Sequence, residues 1–347
     1  MIGRDSKVGL VRKIAAIVLA SAFVVSVAAC ADLPAEVQNC IPAYHSGAAS
    51  DSISAPGALG QSPKTKIPTP TIASRIEVSD VKKGTGLLLG PDDIADTQIS
   101  VYTGADGTLQ GSTKTSAGFT KGGGTQLTVG LKSTISKSLE CQRVGSRIAT
   151  VLTAKDYFGS AATAEQNDVA PKTSIVVIID ITKGYRGRSV GILQPLQSGF
   201  PSVVTAPDGT PGLTLDLQEP PKTVQVEVVR GGSGEKVKDG QTVLLQVQAI
   251  AWTDPAPTGT FDSTWKTHSP RYYKLSPITA VKSNNLTQNA AGYTLDASSV
   301  EALVGQRVGS QVLVVIPPKD AYPSGKEPSG YPTGETLIFV YDILGTY

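Results

Sequence analysis

Val224 to Val229, Thr242 to Ile250, Val308 to Ile316 and Thr336 to Ile343 carry valine, isoleucine and leucine at every second position or in short unbroken runs. That pattern belongs to strands with one or both faces buried. Between the second and third of these stretches, Ser298-Ser299-Val300-Glu301 places a glutamate three residues after a serine. This is a capping-box pattern that opens a short helix, and Gly305 supplies its end. Thr134 to Cys141 holds the same place in an earlier, similar series. The order strand, strand, short helix, strand, strand predicts an α+β fold in which an antiparallel sheet wraps around one helix.

The earlier series reads as a second copy. Leu139 to Asp156 aligns without a gap on Leu303 to Asp320. The two are identical at Leu139 and Leu303, across Gln142-Arg143-Val144-Gly145-Ser146 and Gln306-Arg307-Val308-Gly309-Ser310, at Val151 and Val315, and at Lys155-Asp156 and Lys319-Asp320. Around this anchor Val81 to Gly86 answers Val229 to Gly234, Gly107-Thr108 answers Gly259-Thr260, and Val176 to Asp180 answers Ile338 to Asp342. Matching blocks in the same order imply a duplicated domain. The division expected is residues 1–29 as a leader, 30–71 as a tether and lead-in, 72–185 as the first copy, 186–219 as a linker and lead-in, and 220–347 as the second copy.

The leader changes how composition is read. Arg4, Lys7, Arg12 and Lys13 precede an uncharged apolar run from Ile14 to Ala29, the form of an export signal. Val27-Ala28-Ala29-Cys30 resembles the bacterial lipobox, whose cysteine is lipidated and becomes the mature N-terminus. A membrane-spanning helix is the other reading, although the run is short against the roughly twenty residues a span needs. On the lipoprotein reading, residues 1–29 carry a formal charge of +3 and the remainder −1, so the whole chain's +2 comes from the leader. No Lys/Arg-rich run gives a footprint for nucleic acid. A diacyl anchor on Cys30 would hold the chain at the outer face of the cytoplasmic membrane. Cys40 and Cys141 are then an even pair in an oxidising compartment, expected to form a disulfide; two buried free thiols are the alternative.

Most catalytic constellations are excluded by residue supply. His45 and His268 are the only histidines, which leaves almost nothing from which to build a Ser-His-Asp triad or a histidine-rich metal site. Gly122-Gly123-Gly124 is not followed by Gly-Lys-Ser/Thr and reads as a turn, not a phosphate cradle. Asn285-Leu286-Thr287 fits a glycosylation acceptor, a three-residue pattern common by chance. No metal and no cofactor is expected.

In the second copy, Gly259-Thr260-Phe261-Asp262-Ser263, then Leu303 to Ser310, then Ile316 to Tyr322, then Thr336 to Phe339 resemble, in order and spacing, the signature of FKBP-type peptidyl-prolyl isomerases. The resemblance covers about residues 220–347. The first copy is similar more distantly, through Val101 to Gly104, Gln142 to Ser146 and Lys155 to Gly159. The resemblance implies two tandem FKBP-like domains and an apolar pocket that grips a prolyl ring. In that pocket Phe261 would form a wall, Asp262 the polar group near the twisting carbonyl, and Tyr273 a second aromatic wall. Tyr322 would donate a hydrogen bond to the peptide, and Phe339 would line the interior. The family's floor tryptophan falls at Ser299 in the second copy and Ile135 in the first, with Trp265 a possible substitute from the neighbouring loop. The family's strand tyrosine falls at Val247 in the second copy and at Tyr102 in the first, where Leu109-Gln110 stands for the Phe-Asp pair. The function implied is isomerisation of X-Pro bonds in exported polypeptides. The rival expectation is a non-catalytic chaperone or polypeptide-binding module with vestigial pockets.

Overall fold

The computed structural model describes residues 40–113, 124–131, 133–215, 219–253, 259–275, 286–288, 294–322 and 330–347. Residues 1–39, where the sequence reading expects an export signal, the lipidated Cys30 and the start of a tether, lie outside the described residues, as do Gly122, Gly123 and Asn285. No helix among the described residues is long and apolar enough to cross a membrane.

The chain is mainly antiparallel sheet with a few short helices. Its first part runs α1 (Ala48–Asp51), β1 (Glu77–Lys82), β2 (Ile94–Thr103), β3 (Leu109–Ser112), β4 (Thr125–Thr128), α2 (Thr134–Lys137), β5 (Arg147–Thr153), α3 (Ala154–Phe158), α4 (Ala161–Gln166) and β6 (Ser174–Tyr185). There follow β7 (Ile192–Leu193), β8 (Ser202–Thr205) and β9 (Pro211–Thr214). The last part runs β10 (Gln225–Gly231), β11 (Thr242–Ala251), β12 (Thr260–Ser263), β13 (Arg271–Lys274), β14 (Leu286–Gln288), β15 (Thr294–Asp296), α5 (Ala297–Leu303), β16 (Gln311–Ile316), α6 (Pro318–Ala321) and β17 (Leu337–Thr346).

One strand order occurs twice. The first sheet is β1-β5-β6-β2-β3 with β4 also on β2; the second is β10-β16-β17-β11-β12 with β13 also on β11, and β7 added outside β10. Their irregularities coincide as well. The register shifts at Asp80/Lys82 and Val228/Arg230, at Asp96/Thr97 and Leu244/Leu245, and at Val101/Tyr102 and Ala249/Ile250. Shared bulges are a feature of design, since each one bends the sheet at a set place.

The repeated sequence blocks turn out to be one structural joint used twice. Gly145 and Gly309 have φ of 91° and 90°, a turn that disfavours a side chain. Gly84 N–H donates to Ser146 Oγ and Gly232 N–H to Ser310 Oγ, both at 2.9 Å. A Cβ on Gly84 or Gly232 would lie 2.4 or 2.3 Å from the carbonyl oxygen of Val144 or Val308. Arg143 donates to the Gly86 carbonyl and Arg307 to that of Gly234, at 3.0 and 2.8 Å. The joint explains why glycine, serine and arginine repeat where neighbouring residues diverge.

Each sheet buries both faces. On one face of the second sheet Val243, Leu245, Val247 and Ala249 of β11, Val312, Val314 and Ile316 of β16, and Leu337, Phe339, Tyr341 and Ile343 of β17 pack with Val300 and Leu303 of α5. On the other, Leu313, Val315, Ile338 and Val340 meet Phe200, Val203, Leu213 and Leu215 around the β8–β9 hairpin. The first sheet is built alike. Leu89, Ile148, Leu152, Val177 and Ile179 pack with Ile135 and Leu139, while Ala149, Val151, Val176 and Ile178 on the reverse face take Ile53 and Ala55 from residues preceding β1. Arg147, 1% exposed, ties that lead-in down by donating to Asp180 and to the carbonyls of Ala55 and Ala58. Cys40 and Cys141 are joined as a disulfide, with Cα atoms 5.5 Å apart.

Local expectations shift at three places. The capping residue of α5 is Asp296, whose side chain accepts Ser299 N–H at 2.8 Å, because β15 runs directly into the helix and brings the aspartate to the cap before Ser298. The third strand of the second copy begins at Gln311, since Val308 to Ser310 is spent in the joint just described. The helices α3, α4 and α6 add to the single helix expected per copy.

Candidate functional site

The site begins with a bulge. Asp262 pairs with Ala249 and Thr260 with Ile250, so Phe261 is the extra residue in β12. Strict alternation sends neighbouring side chains to opposite faces; a bulge re-aims one of them. Phe261 packs against the core cluster while the adjacent Asp262 carboxylate stays at its edge. Two donors hold that carboxylate: Arg271 Nη1 at 2.7 Å and Tyr331 Oη at 3.1 Å, both on Oδ2. The Asp262 and Arg271 side chains are 9% and 12% exposed, so the pair interacts with little screening by water.

Aromatic rings surround it. Phe261 lies edge-on to Tyr331 with centroids 4.6 Å apart and to Phe339 at 5.9 Å. Tyr322, delivered by the turn after α6, meets Tyr331 at 5.7 Å. Phe339 stacks on Tyr341 at 5.6 Å with planes 4° apart. Such offset and edge-on pairs are the favoured geometries of ring quadrupoles. Tyr273 on β13 belongs to the same buried cluster and is within hydrogen-bonding reach of Arg271. Phe261, Asp262, Tyr273, Tyr322 and Phe339 are therefore gathered in one place.

Ser299 lies beneath them without touching the rim. Its Oγ donates to Asp296 Oδ2 at 2.7 Å and accepts from Tyr341 Oη at 2.8 Å, all fully or almost fully buried. The floor, small at Ser299, is filled from β17 by the ring of Tyr341. Burial pushes the Asp296 carboxyl up to about 6 against the bonds from Ser299. Burial, with the nearby Asp296 charge, holds the Tyr341 phenol well above its ordinary range. Tyr331 is raised by burial and by the charge of Asp262. The two tyrosines stay protonated and remain donors at neutral pH, while the Asp296 carboxylate accepts from Ser299.

Trp265 does not fill the floor. It is 8% exposed, and a Cβ on Gly209 would lie 2.9 Å from its Cη2 and Cζ3 atoms, which places the indole against the β8–β9 turn. Among the described residues, the first sheet offers no copy of the site. The β2–β3 register makes Gln110 the bulged residue and pairs Gly111 with Val101, so glutamine and glycine stand where the second sheet has Phe261 and Asp262. Tyr102 pairs with Val176 as Ile250 pairs with Ile338. It faces the reverse side, its hydroxyl 2.9 Å from Thr65 Oγ1. The residue standing opposite Ile179, as Val247 stands opposite Tyr341, is Ile99; a three-residue offset in a strand exchanges the two faces.

Arg271, Tyr331, Tyr341 and Asp296 were not singled out from sequence. Tyr341 had a legible signal, two positions after Phe339 on one strand, and Arg271 stands two before Tyr273. Tyr331 sits in a segment with no apolar period and has none.

No protein-family model and no curated protein matches the chain. Solved structures similar to it include proteins with FKBP domains. The three FKBP domains of wheat FKBP73 are 16% identical, covering 78% of this chain and 94% of that one, with a TM-score of 0.30. FkpA from Escherichia coli is 22% identical over 42% of this chain and 51% of its own, with a TM-score of 0.26. A putative peptidyl prolyl cis-trans isomerase FKBP12 from Mycobacterium tuberculosis is 23% identical over 37% of this chain and 88% of its own, with a TM-score of 0.25. At such scores and identities these names carry no weight for activity, which has to be read from the side chains gathered around Asp262.

Proposed function

We propose that the chain is two tandem FKBP-like domains on a lipid anchor at Cys30, and that its second domain is a peptidyl-prolyl cis-trans isomerase for exported polypeptides. The observation that carries this is the aromatic cluster of Phe261, Tyr322, Tyr331 and Phe339 around one carboxylate held by Arg271 and Tyr331. Rotation about an X-Pro bond has a barrier of about 18–20 kcal/mol because it breaks amide resonance, and uncatalysed exchange is slow. No proton need move and no bond need break, so the reaction suits a site without histidine. The twisted amide is less delocalised and less polar than the planar one. An apolar ring-lined site favours it over the ground state, helped by exclusion of water.

In this reading Phe261 and Phe339 contact the prolyl ring, Asp262 faces the twisting carbonyl carbon, and Tyr322 donates to the peptide. Arg271 and Tyr331 position Asp262, and Ser299 with Tyr341 supports the floor. The first domain, with Gln110 and Gly111 at the matching places, has a structural or client-binding role. A second reading, a polypeptide-binding module without catalysis, is favoured by the placement of Tyr331, whose ring lies within 4.6 and 5.7 Å of the Phe261 and Tyr322 rings that would be the walls. A protease-free isomerisation assay on the full chain separates the two. Acceleration that Phe261→Ala abolishes supports catalysis; peptide binding without acceleration supports the module.

A further inference from the structure

β13 is four residues long and, among the described residues, pairs with β11 alone, with Leu244 opposite Tyr272 and Leu245 opposite Arg271. So short an edge strand has few ladder bonds to fix it. Alternation sends Arg271 and Tyr273 to one face and Tyr272 to the other. The first two belong to the candidate site, where Arg271 Nη1 donates to Asp262 Oδ2 at 2.7 Å. Tyr272 belongs to the contact with the first domain. Its ring packs against the buried cluster of Ile94, Leu244 and Leu344, and its hydroxyl donates to Asp96 Oδ1 of β2 at 2.9 Å. That hydroxyl has one proton, so the Tyr347 hydroxyl, 2.8 Å away, donates to it. The Tyr347 ring meets Tyr272 edge-on at 4.8 Å, and Lys183 Nζ lies 3.5 Å from the Tyr347 centroid. A second tie reaches the loop before β13, where Thr128 Oγ1 of β4 donates to the His268 carbonyl at 2.7 Å. The two ties bracket Arg271, one three residues before it and one directly after it. Both come from one corner of the first sheet, since β4 pairs with β2 and Thr128 stands opposite Ile94.

We infer that the first domain, which carries Gln110 and Gly111 in place of Phe261 and Asp262, is a brace for the second domain's site, with Asp96 and Tyr272 as positioning residues that act through Arg271. Arg271 holds Asp262 only while β13 keeps its place. Asp96 is 8% exposed, and a buried carboxylate persists where it is bonded; Tyr185 and Lys183 are the other groups that face it. A charge-assisted bond shielded from water is strong enough to fix the strand that receives it. Displacement of a reacting group by about 1 Å costs on the order of a hundredfold in rate, so a tie one residue from Arg271 bears on the chemistry without touching it. The kinetic consequence rests on the isomerase reading; the holding of Arg271 does not.

The test uses the full chain with isotope-labelled arginine. A guanidinium held by a carboxylate turns slowly and gives separate Nη signals in nuclear magnetic resonance, whereas a released one gives averaged signals. The Arg271 signals are identified by their loss in Arg271→Met. Tyr272→Phe and Asp96→Ala, each confirmed folded by circular dichroism, are expected to average them. Asp96→Asn, whose amide carbonyl still accepts the Tyr272 hydroxyl, is expected to keep them separate. In the isomerisation assay Tyr272→Phe and Asp96→Ala should lower kcat/KM about tenfold, with most of the rate restored in Asp96→Asn. In an Arg271→Met chain Tyr272→Phe should change kcat/KM less than about twofold, because the group it acts through is gone. Arg271 signals that stay separate in both Tyr272→Phe and Asp96→Ala, or equal kinetic losses with and without Arg271, overturn the brace. Averaged signals in a chain that accelerates no isomerisation uphold the brace and sink the catalytic reading.

Discussion

Tyr341 is buried under Phe339 with its hydroxyl on Ser299, so the floor of the site and the mouth of α5 share one volume. Placing an indole at position 299 while Tyr341 remains forces two rings into that volume. Ser299→Trp should cost about 1–3 kcal/mol or more through overpacking. Tyr341→Val removes a fully buried ring and its hydrogen bond, and should cost about 3–5 kcal/mol, in the range of large-to-small changes. If the two positions compete for one space, the double variant costs less than the sum by about 2 kcal/mol, near the upper range of contact couplings. The assay is urea unfolding of the full chain and the three variants at constant slope. Additive costs would refute the statement that Tyr341 supplies the floor. Recovery of stability without recovery of X-Pro isomerisation would separate packing from catalysis.

Asp262→Asn keeps the shape but loses the charge that Arg271 and Tyr331 hold. It should lower isomerase kcat/KM about tenfold or more and also lower the urea midpoint by an amount equivalent to about 1.5–3 kcal/mol, since Arg271 loses a charged partner. Arg147→Met leaves the Asp180 carboxylate buried without its cation and is expected to destabilise the chain by about 3–5 kcal/mol; hydrogen exchange should show residues 55–61 opening first. Asp342 and Asp296 are pushed up to about 6 by burial, so the folded chain holds their protons more tightly than the unfolded one. Their contribution is fully present below about pH 4 and is lost as pH rises through about 6, on the order of 2–3 kcal/mol each. Asp342→Asn should flatten the stability profile between these limits in urea titrations. Reduction of the Cys40–Cys141 bridge, which spans 101 residues, should lower the thermal midpoint by an amount equivalent to about 2–5 kcal/mol.

The central strands were legible because valine and isoleucine recur with period two, and the duplicated order because its joint needs glycine at positive φ and a serine acceptor at fixed places. The gathering of Phe261, Asp262, Tyr322 and Phe339 followed from resemblance, not from periodicity, since a bulge breaks the alternation at Phe261. Tyr331 was hidden because a loop residue is placed by tertiary packing alone. The placement of Tyr102 misled for a simple reason: a three-residue slip in a two-residue period reverses the face, and only the pairing with Val176 reveals it. The coverings of the reverse faces, Ile53 and Ala55 on one sheet and the β8–β9 hairpin on the other, lie in stretches rich in glycine, serine and proline whose sparse apolar residues give little sign of burial.

The most direct measurement is magnetisation exchange on an X-Pro tetrapeptide with the full chain and its Phe261→Ala variant, without a coupling protease. Catalysis at Asp262 predicts cis-trans exchange accelerated by the chain and returned to the uncatalysed rate by the variant. Exchange unaffected by the chain, or accelerated equally by the variant, would contradict it.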